Sequence, residues 1–236
     1  MQQPPKHVKI FQMKTANGKL EETYLDGSAR ISCPPELVPD PGQYILAHAA
    51  NSDAPLPVPL FLSVTLPQGG FRSAPTFPSS WHPGEVLRLR GPIGHGFTLP
   101  ASARKIALVA FDDTPERLLG LLLNALKQNA EVVLVSNSQI EDLPEVVEVQ
   151  PLKGLVEALQ WADYAAMDLS RENLSQLEES LAGKDQITAK IEAQVLVRAP
   201  MPCGAMADCG VCALSIKHDW KMICKDGPVF RLKELI

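Results

Sequence analysis

Met201-Pro-Cys203-Gly-Ala-Met-Ala-Asp-Cys209-Gly-Val-Cys212-Ala-Leu-Ser-Ile-Lys-His-Asp-Trp220-Lys-Met-Ile-Cys224-Lys-Asp-Gly-Pro-Val-Phe230 holds four of the five cysteines of the chain, spaced C-x5-C-x2-C-x11-C. Three thiols within ten residues, with a fourth returning after a short excursion, is a spacing that wraps one metal centre. The residues between them are small: Gly204, Ala205, Ala207 and Gly210 leave room for backbone N–H groups to turn inward.

Three chemistries compete for these thiols. Plant-type [2Fe-2S] ferredoxins space their ligands C-x4-C-x2-C with a distant fourth cysteine, one residue shorter than here. A structural zinc site with four cysteine ligands favours two C-x2-C knuckles, and only Cys209 and Cys212 form one. Disulfides belong to oxidising compartments, whereas a chain without a recognisable signal peptide is expected in the reducing cytoplasm. A [2Fe-2S] cluster on Cys203, Cys209, Cys212 and Cys224 is the first reading, ahead of zinc and disulfides. Cys33, in Ser28-Ala-Arg-Ile-Ser-Cys33, reads as a small buried hydrophobe.

The run from Met201 to Phe230, closing on Cys224-Lys-Asp-Gly-Pro-Val-Phe230, resembles the C-terminal cluster domain of the electron-transfer subunit of the two-subunit, NAD-dependent (class 1B) dihydroorotate dehydrogenase. The resemblance implies an oxidoreductase subunit of pyrimidine biosynthesis. There, a [2Fe-2S] cluster lies between the FAD of this subunit and the FMN of a catalytic partner that oxidises dihydroorotate to orotate.

The whole chain has 236 residues, 45% of them apolar, and a formal charge of −5. That length allows two compact domains or one large one. No apolar run is long enough for a membrane span, and there is no basic footprint for nucleic acid. Fifteen of the 21 prolines fall between Pro4 and Pro100, separating a turn-rich β region from an α/β region. The expected division is 1–100, 101–199 and 200–236: an N-terminal antiparallel flavin-type β barrel, a central Rossmann-like parallel α/β domain, and a small C-terminal cluster domain.

In the first region, apolar alternation between turn signals predicts strands at His7–Gln12, Ser28–Ser32, Gln43–His48, Leu60–Thr65 and Val86–Arg90. Pro41-Gly-Gln-Tyr44 and Gly91-Pro-Ile-Gly-His-Gly-Phe97 resemble two signposts of the flavin-binding barrel of the ferredoxin reductase superfamily. The superfamily's Arg-Pro-x-Ser segment would fall on Val58-Pro-Leu-Phe-Leu-Ser-Val64. One register puts Leu60 at the arginine position and the other puts Val58 there, so neither supplies the bidentate phosphate clamp. The usual Gly-Thr element is replaced by the Pro-rich stretch Pro67–Trp81. Arg72, Phe77 and Trp81 are candidate substitutes for holding a flavin, weighed against a solvated arginine and two packed aromatics. FAD stays open, with the balance against it.

In the second region, Ile106–Phe111, Glu131–Ser136, Val146–Val149 and Tyr164–Leu169 are expected strands, alternating with helices near Leu152–Trp161 and Glu172–Ala182. Thr114 is an expected cap and Pro115 a first helical residue, before an apolar face of Leu118, Leu119, Leu122, Leu123 and Leu126. Alternation from Ile187 to Arg198 reads as one long strand. A dinucleotide-binding turn would carry glycines after the first strand. Here it is Phe111-Asp-Asp-Thr-Pro-Glu116. Asp112, Asp113 and Glu116 suit the helix dipole and repel phosphate, so NAD(P) binding is expected to be lost.

The functional expectation is a one-electron relay that docks on a redox partner, such as a flavin-containing dehydrogenase subunit, within a hetero-oligomer. His218 and Trp220 are candidate docking residues, with packing of a short hairpin as the alternative. No acid, base or nucleophile is assigned. Two other readings are a full FAD- and NAD-linked reductase with diverged nucleotide sites, and a structural subunit whose C-terminus a metal merely staples.

Overall fold

The computed structural model describes residues 13–112, 114–138, 143–216 and 219–236. Among them, six antiparallel strands close a barrel: β1 (Lys14–Thr23), β2 (Ala29–Ser32), β3 (Tyr44–Ala49), β4 (Val58–Thr65), β5 (Phe71–Ser73) and β6 (Val86–Ile93), in the order β1-β2-β5-β4-β3-β6. The two-residue period of β6 shows how sequence sets the barrel. Leu87 and Leu89 point into a core with Leu20, Ile31, Ile45, Leu60, Leu62 and Phe71, while Val86 and Arg88 face out. The expected strand at His7–Gln12 lies outside the described residues. Neither β1 nor β5 was expected. The polar run Lys14–Thr23 buries little beyond Gly18 and Leu20, so it carries no alternation to read, and β5 is three residues inside a Pro-rich stretch.

The second sheet takes β7 (Lys105–Ala110), β8 (Glu131–Val135), β9 (Glu148–Gln150), β10 (Tyr164–Ser170) and β11 (Glu192–Arg198), all parallel. A hairpin of β12 (Ala213–Ile216) and β13 (Asp219–Met222) follows, and then β14 (Val229–Arg231), which returns antiparallel beside β11. The spatial order is β14-β11-β10-β7-β8-β9. The first strand of the α/β region is therefore central, and the winding reverses between β7 and β10. Helices α1 (Leu119–Lys127), α2 (Leu155–Trp161), α3 (Leu174–Leu181) and α4 (Asp185–Lys190) accompany these strands, and α5 (Ile223–Asp226) and α6 (Leu232–Leu235) flank β14. No helix of the described residues is long and apolar enough to cross a membrane.

Two local expectations need correction. The long strand from Ile187 is a helix, α4, followed by β11. Because β11 is flanked by β10 and β14, its buried run Val195-Leu196-Val197 does not alternate, and the alternation upstream was accidental. The helix after β7 opens as a 3-10 turn over Pro115–Leu118. Its tighter winding rotates the apolar face, so Leu118, Leu121, Leu122 and Ala125 are buried whereas Leu123 is exposed. Pro115 stands at the first helical position, but Thr114 makes no side-chain cap.

The barrel, the sheet and the C-terminus meet at one joint. His95 N–H donates to Gly227 O at 2.7 Å, and Phe97 N–H donates to Pro41 O at 2.8 Å. This brings together Pro41–Tyr44, Gly91–Phe97 and Cys224–Phe230. Gly94 has φ +82°, and a Cβ there would lie 2.3 Å from Pro228 Cδ and 2.7 Å from Gly227 O. Gly84 has a similar φ of +98° but open space around it. Gly84→Ala is therefore expected to cost only backbone strain, about 1–2 kcal/mol, and Gly94→Ala clearly more. Denaturant unfolding of both variants measures the difference, and equal costs would contradict the joint.

Candidate metal centre

The cysteine run is an excursion pinched at its base. β11 leads out and β14 leads back, with Val197 N–H donating to Pro228 O at 2.9 Å. Within it, Ile223 N–H donates to Cys212 O at 3.1 Å, which sets Cys224 beside Cys212. Two arginines hold the loop from opposite sides. Arg90 of β6 donates to Cys203 O at 2.8 Å, and Arg171 donates to Val211 O at 2.9 Å and Ala213 O at 3.2 Å. Lys225 and Asp208 form an ion pair across the loop. Gly204, at φ +51°, has no space for a Cβ, because Leu46 Cδ1 would be 2.2 Å and Arg90 Nη2 2.5 Å away.

The four thiols stand as two pairs. Cys203 Sγ and Cys209 Sγ are 3.5 Å apart, and Cys212 Sγ and Cys224 Sγ are 3.2 Å apart. The pairs adjoin, since the Cys224 thiol also acts on Cys203. Cys209 is exposed and Cys203 half-buried, while Cys212 and Cys224 are buried. Burial pushes the Cys224 thiol up to about 12, with the thiol of Cys212 adding to it. Burial also acts to raise Cys203, but hydrogen bonds from the Ala207 and Ala205 backbone and from the neighbouring thiols outweigh it and hold this group below the ordinary thiol value. Among the described residues, no three of the His, Cys, Asp and Glu side chains are arranged as the ligand set of one metal ion. Cys33 lies far along the chain, packed at the edge of the barrel core, and burial raises its thiol to about 11.

Residues 199–236 match the family described as the iron-sulfur cluster binding domain of dihydroorotate dehydrogenase B. The matched segment sits on a ferredoxin-reductase-like fold. The fold is shared with a structure described as an NADH-dependent reduced ferredoxin-NADP oxidoreductase studied for flavin-based electron bifurcation, at 15% identity and a TM-score of 0.73, covering 94% of this chain and 90% of that one. It is shared also with the ferredoxin reductase in carbazole 1,9a-dioxygenase, at 14% identity and a TM-score of 0.61, over 80% and 70% of the two chains. The ferredoxin-NADP+ reductase from Plasmodium falciparum aligns at 8% identity with a TM-score of 0.57, over 78% and 96%. The family match is confined to the C-terminal segment that carries the four cysteines, and the likeness to the solved structures is one of fold.

The strand-order reversal is lined by the chain's own charges. At the carboxyl ends of β7, β10 and β11, Arg198 pairs with Asp112 and, at 2.7 Å, with Asp168, and Arg117 reaches Asp168 at 3.1 Å. Asp112 also accepts Ser170 N–H at 2.8 Å and is bonded by Asn173. Arg117 continues across to the barrel, donating to Pro75 O with its guanidinium 5.8 Å from the Phe61 ring centre. Burial pushes Asp168 up to about 6, with Arg117 pulling it back down, and burial lowers Arg198 to about 10. Asp113 lies outside the described residues. Burial, before any charge, raises the Glu116 carboxyl.

The candidate flavin contacts are committed elsewhere. Arg72 donates to Asp26 at 2.6 Å and Ser28 Oγ at 2.7 Å and stacks over Tyr24. Phe77 and Trp81 pack edge to face against each other in the barrel core. Between barrel and sheet is a cleft of about 360 Å3, lined by Val58, Phe61, Pro75, Arg117 and Arg198 among others. Trp220 is exposed, whereas His218 lies outside the described residues. The arginine and aspartate network was missed in the sequence, although a lone Asp168 in an apolar strand and Arg117 in a leucine-rich helix were its signals.

Asp168→Ala leaves Arg117 and Arg198 without a shared buried partner and should cost about 3–5 kcal/mol. Asp26→Ala removes a half-exposed ion pair and should cost about 0–1 kcal/mol. Denaturant midpoints of the two variants test the ranking.

Proposed function

We propose that the chain is a one-electron relay subunit in which Cys203 and Cys209 hold one iron of a [2Fe-2S] cluster and Cys212 and Cys224 hold the other. The pairing of the thiols carries this reading. Metal–thiolate bonds of about 2.3 Å put two thiolates on one tetrahedral ion roughly 3.8 Å apart, close to the 3.5 and 3.2 Å seen within each pair. A single zinc ion asks all four thiolates to surround one point, whereas two irons ask for one such pair each. When bound, the cluster supplies uptake and release of single electrons.

The residues around it do the rest. Cys209 is exposed, and Met206, Val211 and Trp220, three large apolar side chains of the cysteine loop and its hairpin, are left uncovered; this is the proposed docking face for the redox-active partner subunit. The buried pair is shielded from water, which steadies the potential. The organisation proposed is a barrel over 1–100, an α/β unit over 101–199 and the cluster unit over 200–236. NAD(P) is read as lost, since Asp112 and its arginines fill the place a pyrophosphate would take, and a bound dinucleotide would have to break that network. FAD is read as lost too, since Val58 and Leu60 offer no cation and Arg72 is committed to Asp26. The cleft lined by Arg117 and Arg198 supports a second reading, a reductase that retains flavin through diverged contacts.

Serine at Cys203, Cys209, Cys212 or Cys224 should each lower iron and acid-labile sulfide at least severalfold, while Cys33→Ser leaves both unchanged. Metal and sulfide assays with anaerobic EPR check this, and a colourless zinc protein would refute the relay. NADH should give no heat of binding by calorimetry at micromolar concentrations, and acid precipitation should release no flavin; a yellow supernatant would favour the second reading.

A further inference from the structure

Tyr44 is fully buried, and its hydroxyl has no hydrogen-bond partner among the described residues. A buried phenol ordinarily finds a partner, and leaving one unpaired is costly. The surroundings say what the missing partner is. On β3, Tyr44 stands opposite Phe61, with ring centres 5.7 Å apart, and its ring belongs to the apolar cluster that contains Cys212 and Cys224 and touches Cys203. Leu46, two residues on and on the same face of β3, is the side chain against which Gly204 of the cysteine loop is packed. After burial itself, the groups that act on the Tyr44 hydroxyl are the thiols of Cys224, Cys212 and Cys203, followed by Arg90, which also holds the Cys203 carbonyl. The barrel thus places a donor without an acceptor in the apolar cluster that holds the sulfur atoms.

We propose that the Tyr44 hydroxyl is a hydrogen-bond donor to the sulfur atoms of the loaded centre and sets its reduction potential. The proposal rests on the cluster reading above. Reduction adds negative charge at the sulfurs, and a fixed donor in an apolar surround stabilises that charge, so the potential is higher with the hydroxyl than without it. Tyr44 is a positioning and tuning residue and takes no electron itself.

The test is an EPR-monitored redox titration of the full chain with iron and sulfide quantified, paired with resonance Raman spectra in H2O and D2O. Tyr44→Phe keeps the ring and should load iron and sulfide as the native chain does. Its midpoint potential should be more negative, and the deuterium sensitivity of the iron–sulfur stretch should fall. Tyr164→Phe is the control, because its hydroxyl is bonded to Gln194 Oε1 at 2.7 Å, and it should change neither readout. Should Tyr44→Phe fail to fold, 3-fluorotyrosine at position 44 supplies a stronger donor and should raise the potential. Normal loading with unchanged potential and Raman spectrum in the Tyr44→Phe chain, or no shift with fluorotyrosine, overturns the proposal. A native chain that takes up no iron and sulfide fails at the cluster reading instead and removes the proposal with it.

Discussion

The antiparallel return of β14 beside β11 is the contact on which the rest of the molecule hangs. It joins the two ends of the cysteine excursion through Val197 N–H and Pro228 O, so the loop is closed at its base by strand pairing rather than by a metal. Loop closure of this kind removes the entropy that a free thirty-residue segment would otherwise lose on gathering its ligands. The same returning segment is wedged against Gly94, which ties the base of the loop to the barrel. Thiols on such a loop are brought near one another by backbone geometry before any ligand chemistry begins.

Charge satisfaction is the second constraint. Where β7 and β10 diverge, the ends of parallel strands and the start of a helix create a positive environment that a phosphate commonly neutralises. Here Asp112 and Asp168 provide the anions, with Arg117 and Arg198 between them. A buried set of this type is neutral in sum only when each member is present. Arg117 also reaches Pro75 and Phe61 of the barrel. The network consequently fastens barrel to sheet.

The legibility of the chain follows the same physics. Buried parallel strands such as Ile106–Ala110 and Tyr164–Leu169 announce themselves as apolar runs, and the four cysteines announce themselves by spacing. Their sorting into an outer pair and an inner pair was not legible, because it depends on which end of the loop faces the barrel. β1 was unreadable because a strand with one wet face and a glycine at its centre has almost no apolar period. The 187–198 stretch misled because an exposed helix can carry alternating residues by chance, while the true strand, flanked on both sides, does not alternate. Tyr44 was legible only as part of a turn-and-strand signpost, since nothing in Pro41-Gly-Gln-Tyr44 tells what the hydroxyl will face once Cys224 folds back.

A scaffold that ties its barrel to its sheet through its own charged side chains has a mechanical use. The cysteine loop is gripped by Arg90 from the barrel and by Arg171 from the α/β region, and the joint at Gly94 and the Arg117 bridge keep those two anchors at a fixed separation. Removing either half would free one side of the loop and expose the inner pair of thiols. Electron exchange between proteins needs its redox group held close to the surface in a constant orientation. On the relay reading, both halves are retained because two rigid bodies clamping one loop from opposite sides provide that constancy, whether or not either binds a nucleotide.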